Sequence, residues 1–386
     1  MTPAPRPFAM TQPPDTELRR SSRDPSNLQS RLETWLADLL PPEAAPTITN
    51  LGSTTATGMS SETVLFDAEW TGAGTREIHP LVARLAPDTA DVPVFPTYDM
   101  AGQFEALRVV AATSDVPVPS VRWLDATGTA IGTPFFVMDR VDGLVPPDVM
   151  PYTFGDNWLH DAPVADQQRL QDATVSVLAR LHGIEDPSER FSFLRYGDRP
   201  GDWLGAHVAR RRDWYEFVSA GGPRSPLIER GFDWLDSHWP TEVGDPVLSW
   251  GDARIGNVLY RDFAPVAILD WEMAGIGPRE LDVAWLLNSH RVFEDLAHGF
   301  ELPGLPDFLR IGDVASEYER LTGYAPRDIE FYMTYASIQF AIVFLRTGQR
   351  SVRFGEREMP DDVDEFLYNR EPLQAMIDGS YWADLP

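Results

Sequence analysis

The chain has 386 residues, of which 59 are acidic and 32 basic, giving a formal net charge of −27, and 43% of its residues are hydrophobic. This composition is typical of a globular protein with one large domain or two lobes. It lacks an apolar run long enough to cross a bilayer, a secretory leader, and a basic patch suited to nucleic acid. We therefore expect a cytoplasmic protein that binds neither membrane nor nucleic acid.

The first elements predicted along the chain are a flexible head and a helix. Residues 1–25 are rich in Pro, Ser and Thr and show no hydrophobic periodicity, which predicts a flexible head. Apolar residues then recur at helical spacing in SNLQSRLETWLADLLPP. This pattern predicts a helix with Ser26 as its N-cap and Pro41 as its stop signal.

A mainly β region follows. Gly72 and Gly74 lie in the turn between the second and third strand patterns and favour a hairpin there. One helix is predicted at 98–113, and two further strand candidates lie within 115–125 and 133–143. The first three predicted strands are 47–51, 63–70 and 78–85.

Helical patterns dominate beyond Gly143. We therefore expect an α+β protein with a mainly antiparallel N-terminal lobe over 26–143 and a larger helical lobe over 144–386. The helices predicted in the second lobe are 165–182, 202–219, 226–238 and 328–345.

The stretch WGDARIGNVLYRDFAPVAILDWEMAG interrupts these helices and carries the candidate chemistry. Apolar runs at 258–260 and 266–269 predict a hairpin, which would return Asp270 to the neighbourhood of Asn257. Asp252 lies on the loop that enters this hairpin. Oxygen ligands without His or Cys suit Mg²⁺, which Asn257 and Asp270 would hold, and Asp252 would then accept the proton of an attacking hydroxyl.

This stretch resembles the aminoglycoside phosphotransferase family, whose fold is similar to that of protein kinases. The resemblance rests on GDxxxxN, on an apolar strand ending in DWE, on AGIGPRELDVAW, and on LARLHGI upstream. It is closest to the branch that includes the kinase-like domains attached to acyl-CoA dehydrogenases. It implies a two-lobed kinase-like fold, Asp252 as the catalytic aspartate, and Asn257 and Asp270 as the Mg²⁺ ligands.

The resemblance also implies a nucleotide site between the lobes. The family's anchoring lysine has no counterpart because the chain contains no lysine, and Arg84 is the candidate substitute. The phosphate-covering loop would be 51–63, where Gly58, Ser60 and Ser61 would approach a phosphate. The segment 136–143 would recognise the base.

Several neighbouring residues keep two interpretations. Asp282 matches the family's structural aspartate and also suits an N-cap for a helix beginning near Val283. Trp250 stands where many members have His and would hold the loop by packing. Glu272 would contact the metal ligand or be exposed, Arg254 would contact phosphate or form a salt bridge, and the partner of Arg84 would be Gln103 or Glu105.

The resemblance implies a Mg²⁺-dependent kinase that moves the γ-phosphate of ATP or GTP to a hydroxyl of a small molecule. An aminoglycoside-like antibiotic and a hydroxyacyl or other alcohol metabolite are both open as acceptors. The cluster 210–212 is a candidate for binding CoA phosphates, and the acidic segment 356–365 is a candidate for binding a polycation. The alternative is a nucleotide-binding pseudokinase without turnover.

Overall fold

The computed structural model describes residues 24–53, 61–72, 74–88, 92–148, 151–196 and 201–384. The predicted flexible head therefore lies almost entirely outside the described residues. In the described part of the chain, no helix is both long and apolar enough to span a membrane.

A five-stranded antiparallel sheet forms the N-terminal part and contains all the strands predicted there. The strand order is β1-β2-β3-β5-β4, so β3 lies at the centre of the sheet. Gly72 of β2 pairs with Thr75 of β3, and Gly74 has a positive φ of 84°, which confirms the predicted hairpin. The strands are β1 (Thr47–Ser53), β2 (Glu62–Gly72), β3 (Thr75–Leu85), β4 (Val121–Asp125) and β5 (Phe135–Asp139).

Two helices cover the two faces of this sheet. Helix α1 (Pro25–Leu39) buries Leu28, Leu32 and Leu36 against apolar residues of β2, β3 and β5. Its N-cap is Asp24 and not Ser26, because Pro25 is suited to the first helical position and the Asp24 carboxylate accepts from the Ser26 amide. Helix α2 (Met100–Thr113) instead belongs to the core that continues into the helical part of the molecule.

The rest of the chain is mainly helical and contains the four predicted helices. Helix α7 begins at Glu280, a few residues before the predicted start, and α4, α8 and α10 were not predicted. The helices are α3 (Val164–His182), α4 (Pro187–Arg190), α5 (Trp203–Ser219), α6 (Pro226–Ser237), α7 (Glu280–Gly299), α8 (Ile311–Thr322), α9 (Ile329–Arg353) and α10 (Arg370–Asp378).

Two small strand pairs interrupt these helices and position the candidate site. Strand β6 (Val247–Ser249) pairs with β9 (Gly275–Gly277), and β7 (Val258–Arg261) pairs with β8 (Ala264–Ile268) as the predicted hairpin. The segment from Trp250 to Asn257 therefore starts at one strand pair and ends at the other. The predicted lobe boundary at Gly143 falls in irregular backbone between β5 and α3 and stays a prediction.

Candidate active site

Asp252 lies in the loop that follows β6, and two donors reach the same oxygen of its carboxylate. The indole Nε1 of Trp285 donates to Asp252 Oδ1 at 2.6 Å, and Arg254 Nε donates to it at 3.1 Å. Asp252 is 9% exposed, so its carboxylate lies at the edge of the core. These two hydrogen bonds thus hold the carboxylate in one orientation.

Asn257 and Asp270 are brought together at the base of the β7–β8 hairpin. The amide N–H of Leu269 donates to the Asn257 carbonyl at 2.8 Å, which places Asp270 one residue beyond this bond. Asn257 Nδ2 donates to the Asp252 carbonyl at 3.1 Å, so its Oδ1 is the atom suited to a cation. These bonds join the loop of Asp252 to the base of the predicted hairpin, so the three candidate residues lie on adjoining backbone.

These residues fit Mg²⁺ by the chemistry of their donor atoms. No group of three or more histidine and acidic side chains in metal-binding geometry occurs within the described ranges. One carboxylate and one amide oxygen are nevertheless the sparse protein ligand set that Mg²⁺ accepts when water and substrate phosphates complete its shell.

Asp282 holds the backbone of the loop that carries Asp252. It is completely buried, and its Oδ1 accepts from Ser249 Oγ at 2.7 Å and from the Gly251 amide at 2.9 Å. Its Oδ2 accepts from the Trp250 amide at 2.7 Å and from His182 Nε2 at 3.0 Å. Asp282 is inside the first turn of α7, so it is the loop's structural acceptor and the N-cap interpretation is wrong.

Two further contacts fix the same loop. Trp250 is 1% exposed and also donates from its Nε1 to the Leu269 carbonyl at 2.8 Å, so it holds the loop by a hydrogen bond as well as by packing. Gly251 has a φ of 86°, and a Cβ there would collide with the carbonyl of Met273. Glycine is therefore required at this position for both conformation and space.

Arg254 forms salt bridges, one of its two predicted interpretations. Its guanidinium pairs with Asp252 and, more closely, with Asp148, which lies on the irregular segment beyond Gly143. Burial lowers the pKa of Arg254, but the charges of Asp148 and Asp252 outweigh that effect and raise the pKa above its ordinary value. Nothing in the sequence pattern pointed to Asp148.

Arg84 comes from the centre of the sheet and faces this site from the opposite side. Its guanidinium pairs closely with Asp270 and lies 3.8 Å from Glu272 Oε2, while its other nitrogen donates to Thr63 Oγ1 at 2.9 Å. Burial lowers the pKa of Arg84, and the charge of Glu272 opposes that effect. Glu272 is therefore a buried neighbour of the predicted metal ligand and is not exposed.

The predicted partners from α2 behave differently from each other. Glu105 is paired with Arg108 on the surface, at 2.5 Å. Gln103 is 4% exposed and faces a pocket that Glu272 also lines, and its Nε2 has no hydrogen-bond partner among the described residues. Within the described ranges the hydrogen bonds and ion pairs of Arg84 are with Thr63, Asp270 and Glu272, so neither α2 candidate pairs with it there.

The phosphate-covering loop is only partly described. Gly58 and Ser60 lie outside the described residues. Ser61 precedes β2 and is 5% exposed, and its Oγ has no hydrogen-bond partner in the described part of the chain. Of the three predicted phosphate contacts, the structure thus places one.

The arginine cluster 210–212 does not form one basic groove. Arg210 lies over the ring of Tyr196 at 3.8 Å and lines the pocket shared by Gln103 and Glu272. Arg211 is buried and donates to Gln339, and Arg212 pairs with Asp236 at 2.8 Å. The side chains diverge because successive positions of α5 face different directions.

Two carboxylates of the acidic segment 356–365 form hydrogen bonds or ion pairs within the protein. Asp364 is 6% exposed and accepts hydrogen bonds from Ser225 and from the Leu227 amide, and Asp362 pairs with Arg370 at 2.7 Å. Asp364 thus joins the start of α6 to the C-terminal segment, whereas Asp362 pairs within that segment. They are therefore engaged within the protein.

Two residues of the site lie inside motifs that the sequence singled out but received no individual role. Trp285 is three positions after Asp282 and faces the same loop, and His182 connects Asp282 to Tyr318, whose hydroxyl is 2.7 Å from His182 Nδ1. Helical spacing from Asp282 is a signal that would have found Trp285.

Comparison with known proteins places the chain in a family. Residues 58–311 match the phosphotransferase enzyme family. A probable acyl-CoA dehydrogenase of Arabidopsis thaliana is 26% identical over 257 residues, which cover 63% of this chain and 30% of that protein. The chain therefore spans under a third of the length of this curated relative.

Solved structures show the fold. The crystal structure of a putative aminoglycoside phosphotransferase from Ralstonia eutropha superposes with a TM-score of 0.61 at 19% identity, covering 92% of this chain and 98% of that one. An aminoglycoside phosphotransferase solved with ADP and hygromycin B gives a TM-score of 0.50 at 15% identity, covering 90% and 98%. The predicted α+β, protein-kinase-like two-lobed fold is thereby confirmed.

Proposed function

The chain belongs to the phosphotransferase enzyme family, and we propose that it moves the γ-phosphate of ATP or GTP to a hydroxyl of a small molecule with the help of Mg²⁺. The observation that carries this proposal is that the loop of Asp252 is bonded to Asn257 at the base of the hairpin, where Arg84 pairs with Asp270.

Asp252 is the residue proposed to act on the acceptor. Its anchored carboxylate accepts a hydrogen bond from the acceptor hydroxyl and then takes its proton. The hydroxyl oxygen forms a bond to the γ-phosphorus while the bond from that phosphorus to the β–γ bridging oxygen breaks. The products are the phosphorylated alcohol and a nucleoside diphosphate, and the proton passes from Asp252 to solvent.

Asn257 and Asp270 would hold Mg²⁺, which when bound neutralises charge on the β- and γ-phosphates. Asp270 is proposed as the carboxylate ligand and Asn257 as the amide ligand. The bond from Asn257 Nδ2 to the Asp252 carbonyl ties this ligand to the catalytic loop. Positioning of the acceptor and of the phosphates is thus linked through one short segment.

Arg84 is proposed to anchor the nucleotide, with Ser61 and the neighbouring Gly58 and Ser60 covering its phosphates. Arg84 is permanently charged, and its planar guanidinium can bind two phosphate oxygens at once. The buried hydroxyl of Ser61, which has no partner among the described residues, fits a donor to phosphate.

The acceptor is proposed to be an aminoglycoside-like antibiotic or a hydroxyacyl or other alcohol metabolite. The first is supported by a structural neighbour solved with hygromycin B, and the second by a relative that is a probable acyl-CoA dehydrogenase. Because neither the arginine cluster nor the acidic segment forms a single charged groove in the described residues, overall charge does not choose between them.

A single-turnover assay with γ-labelled ATP and GTP, Mg²⁺, and a panel of both acceptor classes tests the proposal. Asp252→Asn should lower transfer by a factor of about 10² to 10⁴ because the proton acceptor is lost. Arg84→Ala should weaken nucleotide binding, and Asp233→Asn, an exposed carboxylate on α6, serves as the control.

The outcomes separate the proposed kinase from the pseudokinase. Product that disappears in Asp252→Asn and persists in Asp233→Asn establishes phosphoryl transfer and identifies the acceptor class. Saturable nucleotide binding without transfer to any acceptor or to water would instead identify a pseudokinase.

A further inference from the structure

Both hydrogen bonds to the Asp252 carboxylate fall on one of its two oxygens. Trp285 Nε1 and Arg254 Nε each donate to Oδ1, at 2.6 and 3.1 Å. Within the described part of the chain, no hydrogen bond reaches Oδ2. We propose that Trp285 is a positioning residue, whose indole N–H fixes the Asp252 carboxylate so that Oδ2 faces the acceptor hydroxyl; this rests on the proposed function.

Trp285 is itself held in one orientation. Its side chain is 4% exposed, and its ring stacks on Phe340 of α9 with centroids 4.7 Å apart and planes inclined by 25°. Packing on this helix leaves the indole little rotational freedom, so its N–H direction is set before any ligand binds.

Helix α7 thereby fixes the loop at two levels. Asp282 accepts from the amides of Trp250 and Gly251 and so sets the backbone, while Trp285, one turn later on the same face, sets the carboxylate. A rigid helix that supports both the loop and its reactive group satisfies the requirement for a preorganised site.

Arg254 cannot supply this orientation alone. It belongs to the same loop as Asp252, and its closer ion pair is with Asp148, which lies on irregular backbone and not on a packed helix. Trp285 lies on a separate, packed helix, so its N–H can hold the Asp252 carboxylate in a fixed orientation. We therefore expect Trp285 to affect turnover and not nucleotide binding.

The kinetic test compares Trp285→Phe with Trp214→Phe. The first removes the N–H and keeps an aromatic ring against Phe340, and the second removes an equivalent buried bond, from Trp214 Nε1 to the Val94 carbonyl at 2.8 Å, away from Asp252. Trp285→Phe should lower kcat by about tenfold to a hundredfold with the KM for nucleotide unchanged. Trp214→Phe should leave kcat unchanged.

A spectroscopic test requires no turnover. The protein contains 12 tryptophans, so its ¹⁵N-labelled indole N–H groups give few peaks, and the peak lost in Trp285→Phe or Trp285→Tyr belongs to Trp285. In Asp252→Asn this peak should move more than the others, because its charged acceptor has become a neutral amide.

Three results decide the matter. A wild-type kcat in a folded Trp285→Phe variant overturns the proposed role. An indole peak that does not shift in Asp252→Asn overturns the contact between Trp285 and Asp252. A wild-type protein that transfers no phosphate to any acceptor or to water refutes the proposed function, while the indole peak still tests the contact separately.

Discussion

The two sides of the candidate site are held by different kinds of bonds. The loop carrying Asp252 is held by Asp282, which is fully buried. Its carboxylate accepts hydrogen bonds from two backbone amides, a serine hydroxyl and an imidazole N–H. The side carrying Asp270 is held by an ion pair with Arg84. The first arrangement is complete within the protein, whereas the second uses atoms that a nucleotide and a cation would also bind.

We therefore regard the bonds to Asp282 as structural and the Arg84–Asp270 ion pair as one that a ligand could replace. Hydrogen bonds to a buried carboxylate are costly to break because the donors cannot bond to water in place of the carboxylate. An ion pair beside a cleft can be exchanged for equivalent bonds to phosphate and metal. We therefore expect substitutions at Asp282 to act on folding, and substitutions at Arg84 to act on binding.

The largest effect is expected from Asp282→Ala. Removing this carboxylate leaves His182 and two backbone amides without their acceptor in the core, which should reduce the free energy of unfolding by about 3 to 5 kcal/mol. Urea denaturation followed by tryptophan fluorescence measures the change.

The control for Asp282 is Asp236→Ala. Asp236 pairs with Arg212, and its side chain is 63% exposed, so its loss should change stability by at most about 1 kcal/mol. Equal effects of the two substitutions would contradict the distinction between the buried frame and the surface.

The second prediction compares Gly251→Ala with Gly155→Ala. The two glycines have similar positive φ angles, 86° and 83°, but a Cβ at Gly251 would meet the Met273 carbonyl, whereas Gly155 has open space around its Cα. In both variants the free energy of unfolding should fall by about 1 to 2 kcal/mol, because alanine disfavours the left-handed backbone. The free energy of unfolding, measured by denaturation, should fall by about 1 to 3 kcal/mol more in Gly251→Ala, because its Cβ would collide with the Met273 carbonyl.

Equal losses at the two positions would mean that the loop shifts freely to make room for a Cβ. That result would weaken the view that Asp282 and Met273 fix the loop from both sides. The measured difference therefore reports directly on how rigidly the loop is held.

The elements with strong local signals were predictable from the sequence. The β7–β8 hairpin and the hairpin at Gly74 follow from alternating apolar residues around turn residues. Local pattern failed where a nearby residue offered a better cap, as Asp24 did in place of Ser26. Helices α8 and α10 were missed because each buries few residues, Val314 and Tyr318 in α8 and Leu373 and Met376 in α10.

The site was predictable as a set of residues but not as a set of partners. The positions of Asp252, Asn257 and Asp270 follow from a hairpin that is local in sequence. The pairing of Arg84 with Asp270 spans 186 positions, and the bond from Trp285 to Asp252 depends on where α7 packs. Such contacts are set by the tertiary fold, which local periodicity does not encode.

The smallest predicted effect concerns the exchangeable side of the site. If Asp270 binds the cation as proposed, Arg84 and a divalent cation would compete for its carboxylate in the absence of nucleotide. Arg84→Gln should therefore raise the affinity for Mn²⁺ alone, used as a probe for Mg²⁺, by up to about tenfold, or 1.4 kcal/mol. Electron paramagnetic resonance of free Mn²⁺ measures this affinity.

The same Arg84→Gln variant should bind ATP more weakly, because the guanidinium proposed to anchor the phosphates is gone. Arg108→Gln is the matched control, since Arg108 is an exposed arginine whose ion pair with Glu105 lies on the surface of α2. Opposite shifts in Mn²⁺ and ATP affinity, found only at Arg84, would show that this ion pair is replaced on ligand binding. Unchanged Mn²⁺ affinity would instead mean that the Arg84–Asp270 pair is as structural as the bonds to Asp282.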